Sequence, residues 1–524
     1  MSAEGRWKRI SGSQFPWVTA RQVIQVITFI SFLALFAALV RSSAGGEISR
    51  DWLLNLPFFL DPLVGLTNLM AGKKVLAGTS LALVTVFLTV MFGRVWCGWL
   101  CPLGSLLDWI PLRNQGQGNP PISDSWRRIK VFLLIGILCL ALLSNLTLLI
   151  LDPLTLLSRI LAAVVWPALE QIFTGLATVL YPVDFLRPAI SRLDGLVRNF
   201  VLRSTSVDYR FSLLYAGLFL GVIGLNAAAP RFWCRYLCPL GGFLGIISKG
   251  AVFKCRVGEN CTNCGLCESG CPTGAISGYR SGGCEHSECI MCMECLRFCQ
   301  GRAVKFPREI SFSGWAEYDP DRRQVLAAAG LSILGWGLFK SSEASRRSHP
   351  YLIRPPGAQN PEFLSRCTRC GNCTAVCPSG AIQPSLGESG WEGLWSPILI
   401  PRLGYCDYSC NACGQVCPVQ AIDEMTLESK RQQVIGKAYL DRSRCIAWAD
   451  EQDCIVCEEM CPIPEKAIKL REVELKDSSG EVFVVQQPHV QRELCIGCGI
   501  CEYQCPVSGE AAIRVFSPDG AVPV

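Results

Sequence analysis

Two stretches of the chain repeat one another: RVWCGWLCPLG at residues 94–104 and RFWCRYLCPLG at residues 231–241. Each closes an apolar run and presents two cysteines in C-x3-C-P spacing, Cys97 with Cys101 and Cys234 with Cys238. Four thiols from two equivalent positions can complete the ligand set of one iron–sulfur cluster, because soft sulfur donors match iron. Two other readings stand beside this one. Cysteines four apart on a turn can form a redox-active disulfide within each element. Alternatively all four are small buried side chains, although repetition of the whole R-x-W-C-x-x-L-C-P-L-G element weighs against that. Pro102 and Pro239 end the preceding helix and remove a backbone donor, which bends the chain just after the second cysteine.

The remainder of the chain supplies cysteine runs in quantity. CTNCGLCESGCPTGAI at 261–276 and CIMCMECLRFCQGRAV at 289–304 are two copies of C-x2-C-x2-C-x3-C, the two-cluster bacterial ferredoxin signature. In that pattern three close thiolates hold one cubane and the fourth cysteine serves its neighbour. The spacing therefore assigns Cys261, Cys264, Cys267 and Cys299 to one site, and Cys289, Cys292, Cys295 and Cys271 to the other. Zinc ribbons use two separated pairs rather than unbroken four-cysteine runs. Four further runs follow residue 366. Those starting at Cys367 and Cys495 have the standard spacing, the one at Cys406 is widened by a residue, and the last comprises Cys445, Cys454, Cys457 and Cys461. Their sixteen cysteines make four more cubanes. Cys255 and Cys284 fall outside every run, and Cys139, inside an apolar segment, reads as a small apolar side chain.

Composition places these motifs. Of 524 residues half are apolar and 31 are Cys, so the chain reads as a membrane protein with a cysteine-rich soluble part. A disulfide scaffold belongs to short secreted chains, and a net charge of +6, spread out, gives no reason to invoke nucleic acid. Apolar segments at 23–40, 75–95, 131–151 and 211–229 are near the roughly 20 residues that cross a bilayer as helix. A fifth, 154–181, carries Arg159, Pro167 and Glu170 and reads as amphipathic helices at the surface. FLDPLVGL at 59–66 and ILDPLTLL at 150–157 extend the repeat, so each half runs span, DPL, span, C-x3-C-P. Two crossings per half put both cysteine elements on one membrane face. Asp61 and Asp152 could exchange protons with a quinone, but Asp before Pro is foremost a helix cap. His286, His349 and His489 lie outside the spans and no C-x-x-C-H occurs, so no haem is expected.

With these motifs in place, the first 310 residues resemble NapH and its relatives NosR, MauN and CcoG, and residues from about 320 resemble the four-cluster ferredoxins NapG and MauM. The resemblance implies that the outer runs pair with each other and the inner runs likewise. Carried over, it assigns Cys367, Cys370, Cys373 and Cys505 to one cluster, with Cys495, Cys498, Cys501 and Cys377 as its partner. It further assigns Cys406, Cys410, Cys413 with Cys461, and Cys445, Cys454, Cys457 with Cys417. It also implies quinol oxidation, or the reverse, with electrons exchanged with a periplasmic cytochrome or reductase subunit of a larger complex.

The expected architecture is a membrane α-helical bundle of four spans plus a fifth, with two α+β ferredoxin-type domains. Its divisions are a membrane domain at 1–250, a two-cluster ferredoxin at 251–310, a connecting helix at 311–345 and a four-cluster ferredoxin at 346–524. Arg322 and Arg323 precede an uncharged apolar stretch like that of a twin-arginine export signal, which would be the fifth crossing. Arg6, Lys8, Arg9, Arg21, Arg113, Arg127, Arg128, Lys130, Lys249, Lys254 and Arg256 mark the cytoplasmic side, against which Arg187, Arg192, Arg198, Arg203 and Arg210 stand on the other. The expected protein is thus an inner-membrane electron conduit, cytoplasmic at its N-terminus and first ferredoxin and external at its last. It carries six [4Fe-4S] clusters, allows a seventh at the C-x3-C-P quartet, and uses quinone as substrate. An alternative is a CcoG-like maturation factor that reduces metal or thiols. No molybdopterin, flavin or nucleotide fingerprint appears.

Overall fold

Proline placement organises the helical part. Asp61 and Cys101 cap the helices Pro62–Gly72 and Pro102–Trp109, and Cys238 caps Pro239–Ser248, each with Pro in the first turn. Asp152 accepts the first amides of Pro153–Ile160 in the same way. The computed structural model describes residues 16–42, 52–73, 77–112, 122–200, 202–203, 207–277, 283–299, 303–310, 312, 319–341, 351–476 and 481–518. Arg6, Lys8, Arg9, Arg113, His349 and parts of the 311–345 connection lie outside them. The chain divides into two compact units: residues 1–36, 55–157 and 213–336 form the first, and residues 37–54, 158–212 and 337–524 the second.

Among the described residues two helices, Pro16–Arg41 of 26 residues and Pro153–Leu180 of 28, are by length and composition long and apolar enough to cross a membrane. Where separate amphipathic helices are expected at 154–181, the second is one continuous helix. Its helix runs on through a π turn at Leu161–Val165, and Pro167 lies at the first turn beyond it. Its charges are buried with partners: Arg159 lies over the Trp395 ring, and Glu170 accepts the Arg203 amide at 3.2 Å. The other expected spans are interrupted. The segment 75–95 holds the 15-residue helix Gly78–Phe92, 211–229 holds Ser212–Ala227, and Arg128–Leu142 ends in a turn before the 3-10 helix Thr147–Leu151. Fifteen α-helical residues reach only about 22 Å, short of a hydrocarbon core of about 30 Å. Arg322–Ser341 is a 20-residue helix but not one of the two long apolar ones.

Several of the basic residues that mark the expected topology also have structural duties. In the first unit Arg127 donates to the Gly274 carbonyl at 3.0 Å, Lys130 pairs with Glu288, and Lys249 pairs with Asp319. In the second, Arg203 donates to the Ala375 and Cys377 carbonyls, and Arg210 pairs with Glu388 at 3.1 Å. Of these, Arg203 holds the loop that carries Cys377.

The ferredoxin parts are small α+β folds. In the first unit, Arg256–Val257 before the first run pairs antiparallel with Val304–Lys305 after the second, and the short helices Leu266–Ser269 and Glu294–Phe298 pack together. The second unit repeats this enclosure: Lys437–Leu440, before the run at 445, pairs with Ile513–Phe516, after the run at 495. A hairpin of Ile468–Lys476 and Val482–Val490 fills the chain between those runs, and Ile382–Pro384 with Pro397–Leu399 fills the chain between the runs at 367 and 406.

Candidate iron–sulfur centres

Each C-x3-C element is one π-helical turn, Trp96–Leu100 and Trp233–Leu237, with its second cysteine capping the next helix. The cap is made by sulfur: Cys101 Sγ accepts the Gly104 amide at 3.4 Å and Cys238 Sγ that of Gly241 at 3.2 Å. A Cβ on Gly104 would meet the Cys97 carbonyl at 2.8 Å, and one on Gly241 the Arg94 guanidinium at 2.7 Å, so this turn of the repeat demands glycine. Cys97, Cys101, Cys234 and Cys238 are each 5% exposed or less and lie close enough together to interact electrostatically. The arginines cross over. Arg94 reaches the Cys234 carbonyl at 3.5 Å and Arg231 the Cys97 carbonyl at 2.8 Å, while Arg231 also grips Asp108 through two contacts of 2.5 Å.

All four are free thiols. Among the described residues no group of three or more His, Cys, Asp or Glu closes on a single metal ion, as it would in a zinc site. The indole N–H groups of Trp96 and Trp233, equivalent in the two repeats, are buried without an acceptor among the described residues. A sulfide-bearing cluster would bring acceptors to these indoles.

This quartet adjoins the first ferredoxin. Trp99 donates to the Met291 carbonyl at 2.9 Å, and Arg94 to the Ser287 carbonyl at 2.8 Å and to Glu288 at 3.1 Å. Burial alone would push the Glu288 carboxyl up, but Lys130 and Arg94 beside it hold it at about 2. The loop 289–295 is thus fastened to the cysteine elements by a buried ion network. Cys261, Cys264, Cys267 and Cys299 line one cavity, and Cys271 lies with Cys292 and Cys295. Cys271 and Cys299 each accept an amide at 3.2 Å from the alanine four residues on, so the fourth cysteine is held by its own loop.

In the second unit the thiols fall into four groups, but not those implied by the resemblance. Cys417 joins Cys367, Cys370 and Cys373, Cys377 joins Cys406, Cys410 and Cys413, Cys505 joins Cys445, Cys454 and Cys457, and Cys461 lies beside Cys498 in the run at 495. The fourth ligands are corrected accordingly: Cys505 leaves the run at 367, Cys377 the run at 495, Cys461 the run at 406 and Cys417 the run at 445. The reason is the hairpins. A hairpin returns the chain to its start, so runs adjacent in sequence face each other, and the helices Asn372–Val376 and Ala412–Gln415, then Val456–Glu459 and Ile500–Gln504, pack as pairs. The two pairs touch where the Cys406 amide donates to the Cys498 carbonyl at 2.8 Å. Burial pushes the Cys373, Cys413 and Cys501 thiols well above their ordinary range, so a thiolate at these positions needs a compensating cation such as iron.

Comparison with known proteins follows the same lines. Family models described as a 4Fe-4S binding domain match residues 75–120 and 211–257, which hold the two C-x3-C-P elements, and residues 257–277 and 488–508. A 4Fe-4S dicluster domain matches residues 366–422, the two runs that the structure pairs. The methylamine utilization ferredoxin-type protein MauM of Methylorubrum extorquens is 34% identical over 207 residues, which is 38% of this chain and 89% of that protein. The Paracoccus denitrificans MauM is 36% identical over 210 residues, 38% of this chain and 88% of its own length. The chain belongs to the MauM and NapG family of ferredoxin-type proteins. NapG of Escherichia coli is 34% identical over 198 residues, 37% of this chain and 83% of NapG. No solved structure matches the chain. Membership in the MauM and NapG family makes ferredoxin-type iron–sulfur electron transfer the biochemical class of the protein.

The first unit also holds cysteines outside the runs. Cys255 and Cys284, outside every run, lie within hydrogen-bonding reach of each other, and Cys255 also reaches Cys289 and Cys295. Each abuts a strand beside a run, and that placement, more than cysteine spacing, was the available signal. Beside the same loop lies an apolar cavity of about 550 Å³ walled by Trp17, Leu88, Phe92, Trp99, Phe253 and Met291. Cys139 stands half-buried in the helix Arg128–Leu142.

Proposed function

We propose that this protein is a membrane-bound electron-transfer subunit that passes electrons between the quinone pool, or its own first ferredoxin, and an external cytochrome or reductase. The observation that carries the reading is the succession of thiol groups whose loops are hydrogen-bonded to one another within each unit. In the first, the C-x3-C-P quartet abuts the loop of Cys289, Cys292 and Cys295. In the second, the two run pairs meet at Cys406 and Cys498. Six [4Fe-4S] clusters on the ferredoxin runs and a seventh on Cys97, Cys101, Cys234 and Cys238 would supply one-electron chemistry at these positions. The apolar cavity beside Met291 suits a prenylated quinone. The reading places the chain in the inner membrane as a multi-pass protein within a larger complex, its first ferredoxin cytoplasmic and its last external, the membrane part resembling NapH and NosR.

The test is anaerobic purification followed by iron and sulfide analysis and by menaquinol addition under electron paramagnetic resonance. About 28 irons per chain, four for each of seven clusters, and reduced-cluster signals on quinol addition are expected. Zinc in place of iron would remove the conduit reading.

A further inference from the structure

Asp61 and Asp152 occupy equivalent places in the two repeats, and both are 0% exposed. Each caps its helix with one oxygen only. Asp61 Oδ1 accepts the Leu63 and Val64 amides at 2.8 and 3.2 Å, and Asp152 Oδ2 those of Leu154 and Thr155 at 3.0 and 3.1 Å. The other oxygens, Asp61 Oδ2 and Asp152 Oδ1, are buried without a donor among the described residues, and the two carboxyls lie within hydrogen-bonding reach of each other. Neither carboxyl has an ion-pair partner among the described residues, whereas Asp108, Glu288, Glu294 and Asp319 of the same unit all do. The nearby Thr85 and Thr155 hydroxyls donate to the Leu60 and Leu149 carbonyls and so supply no proton to the pair.

Two carboxylates cannot hydrogen-bond to one another, and two buried negative charges side by side without a cation are strongly disfavoured. One proton between them satisfies both orphaned oxygens and leaves a single charge facing four capping amides. We infer that Asp61 and Asp152 form a proton-binding site that holds one shared proton and takes up a second from the substrate when a quinol is oxidised. The quinol part rests on the function proposed above, and the shared proton does not. In that step the quinol loses two electrons to the iron–sulfur centres and becomes quinone. One of its O–H protons forms the second Asp O–H bond, and the other leaves to solvent.

The test uses the purified full chain with its clusters and the variants Asp61→Asn and Asp152→Asn, since Asn also caps helices and preserves the fold. Iron content and melting temperature control for folding. Infrared difference spectra at neutral pH should show one protonated-carboxyl band, shifted in heavy water, that disappears in both single variants. Absence of the band, or its survival in either variant, overturns the shared proton. In quinol-driven cluster reduction both variants should be slowed at least tenfold, while reduction by dithionite is unchanged. If the band behaves as expected but quinol rates in the variants equal the parent's, the uptake role fails. If the parent does not react with quinol, the quinol reading and the uptake role fail together, and the band alone decides the pair.

Discussion

Arg231 in the second repeat donates to the carbonyl of Cys97 in the first at 2.8 Å, and Arg94 returns the contact to Cys234. Each cysteine turn is therefore fixed by the other repeat, and neither forms its site alone. Arg231 is 1% exposed and bound to Asp108. Arg231→Gln leaves Asp108 with Arg21 and Gln25. The expected cost is about 3 kcal/mol, the low end for breaking a buried ion pair, read by thermal unfolding together with loss of the quartet's paramagnetic signal. Arg231→Lys should restore stability in part and the signal less, because Lys lacks the fork that serves Asp108 and Cys97 at once.

The quartet itself makes a sharper claim. Serine at any one of Cys97, Cys101, Cys234 or Cys238 should remove the same signal and about four irons, leaving the ferredoxin clusters intact. Should Cys97 and Cys101 protect each other from alkylation independently of Cys234, each element holds its own disulfide and the shared centre is wrong.

Gly98 lies where a Cβ would overlap the Ile290 carbonyl oxygen. Gly98→Ala must push the cysteine turn away from the loop 289–295. A loss of about 2 kcal/mol or more is expected from overpacking against backbone. The six ferredoxin clusters should still form, which iron analysis on the variant would check, while quinol-driven reduction slows.

Local spacing made most of the cysteine runs readable, because in four of the six, those starting at Cys261, Cys289, Cys367 and Cys495, three cysteines lie within seven residues. The convergence of the C-x3-C-P elements was readable too, from the repeated order of apolar segment, DPL and cysteine turn in both halves. What escaped depended on distant pairing. Nothing near Cys417 or Cys505 says which run it serves. For Cys417 that is settled by the hairpin of Ile382–Pro384 with Pro397–Leu399, and for Cys505 by the hairpin of Ile468–Lys476 with Val482–Val490 and by Lys437–Leu440 meeting Ile513–Phe516. The continuity of Pro153–Leu180 was hidden because Arg159 and Glu170 look like surface residues until Trp395 and Arg203 are seen against them.

Sidedness follows from the proposed topology. A tag at residue 524 should be labelled from outside intact cells, while one at residue 282 should not. If both are hidden, the helix Arg322–Ser341 does not cross the membrane.

The fourth-ligand pairing can be decided by counting irons in double variants. Two substitutions in one ligand set cost one cluster, and two in different sets cost two. Cys370 and Cys417 share a cavity with Cys367 and Cys373, whereas Cys505 lines the cavity of Cys445, Cys454 and Cys457. Cys370→Ser with Cys417→Ser should therefore lose about four irons, and Cys370→Ser with Cys505→Ser about eight. A nested pairing of outer and inner runs requires the reverse order, since it places Cys505 with Cys370 and moves Cys417 to the run at 445. The single variants set the baseline, and sulfide analysis on the same samples separates loss of a whole cubane from loss of one iron at its substituted corner.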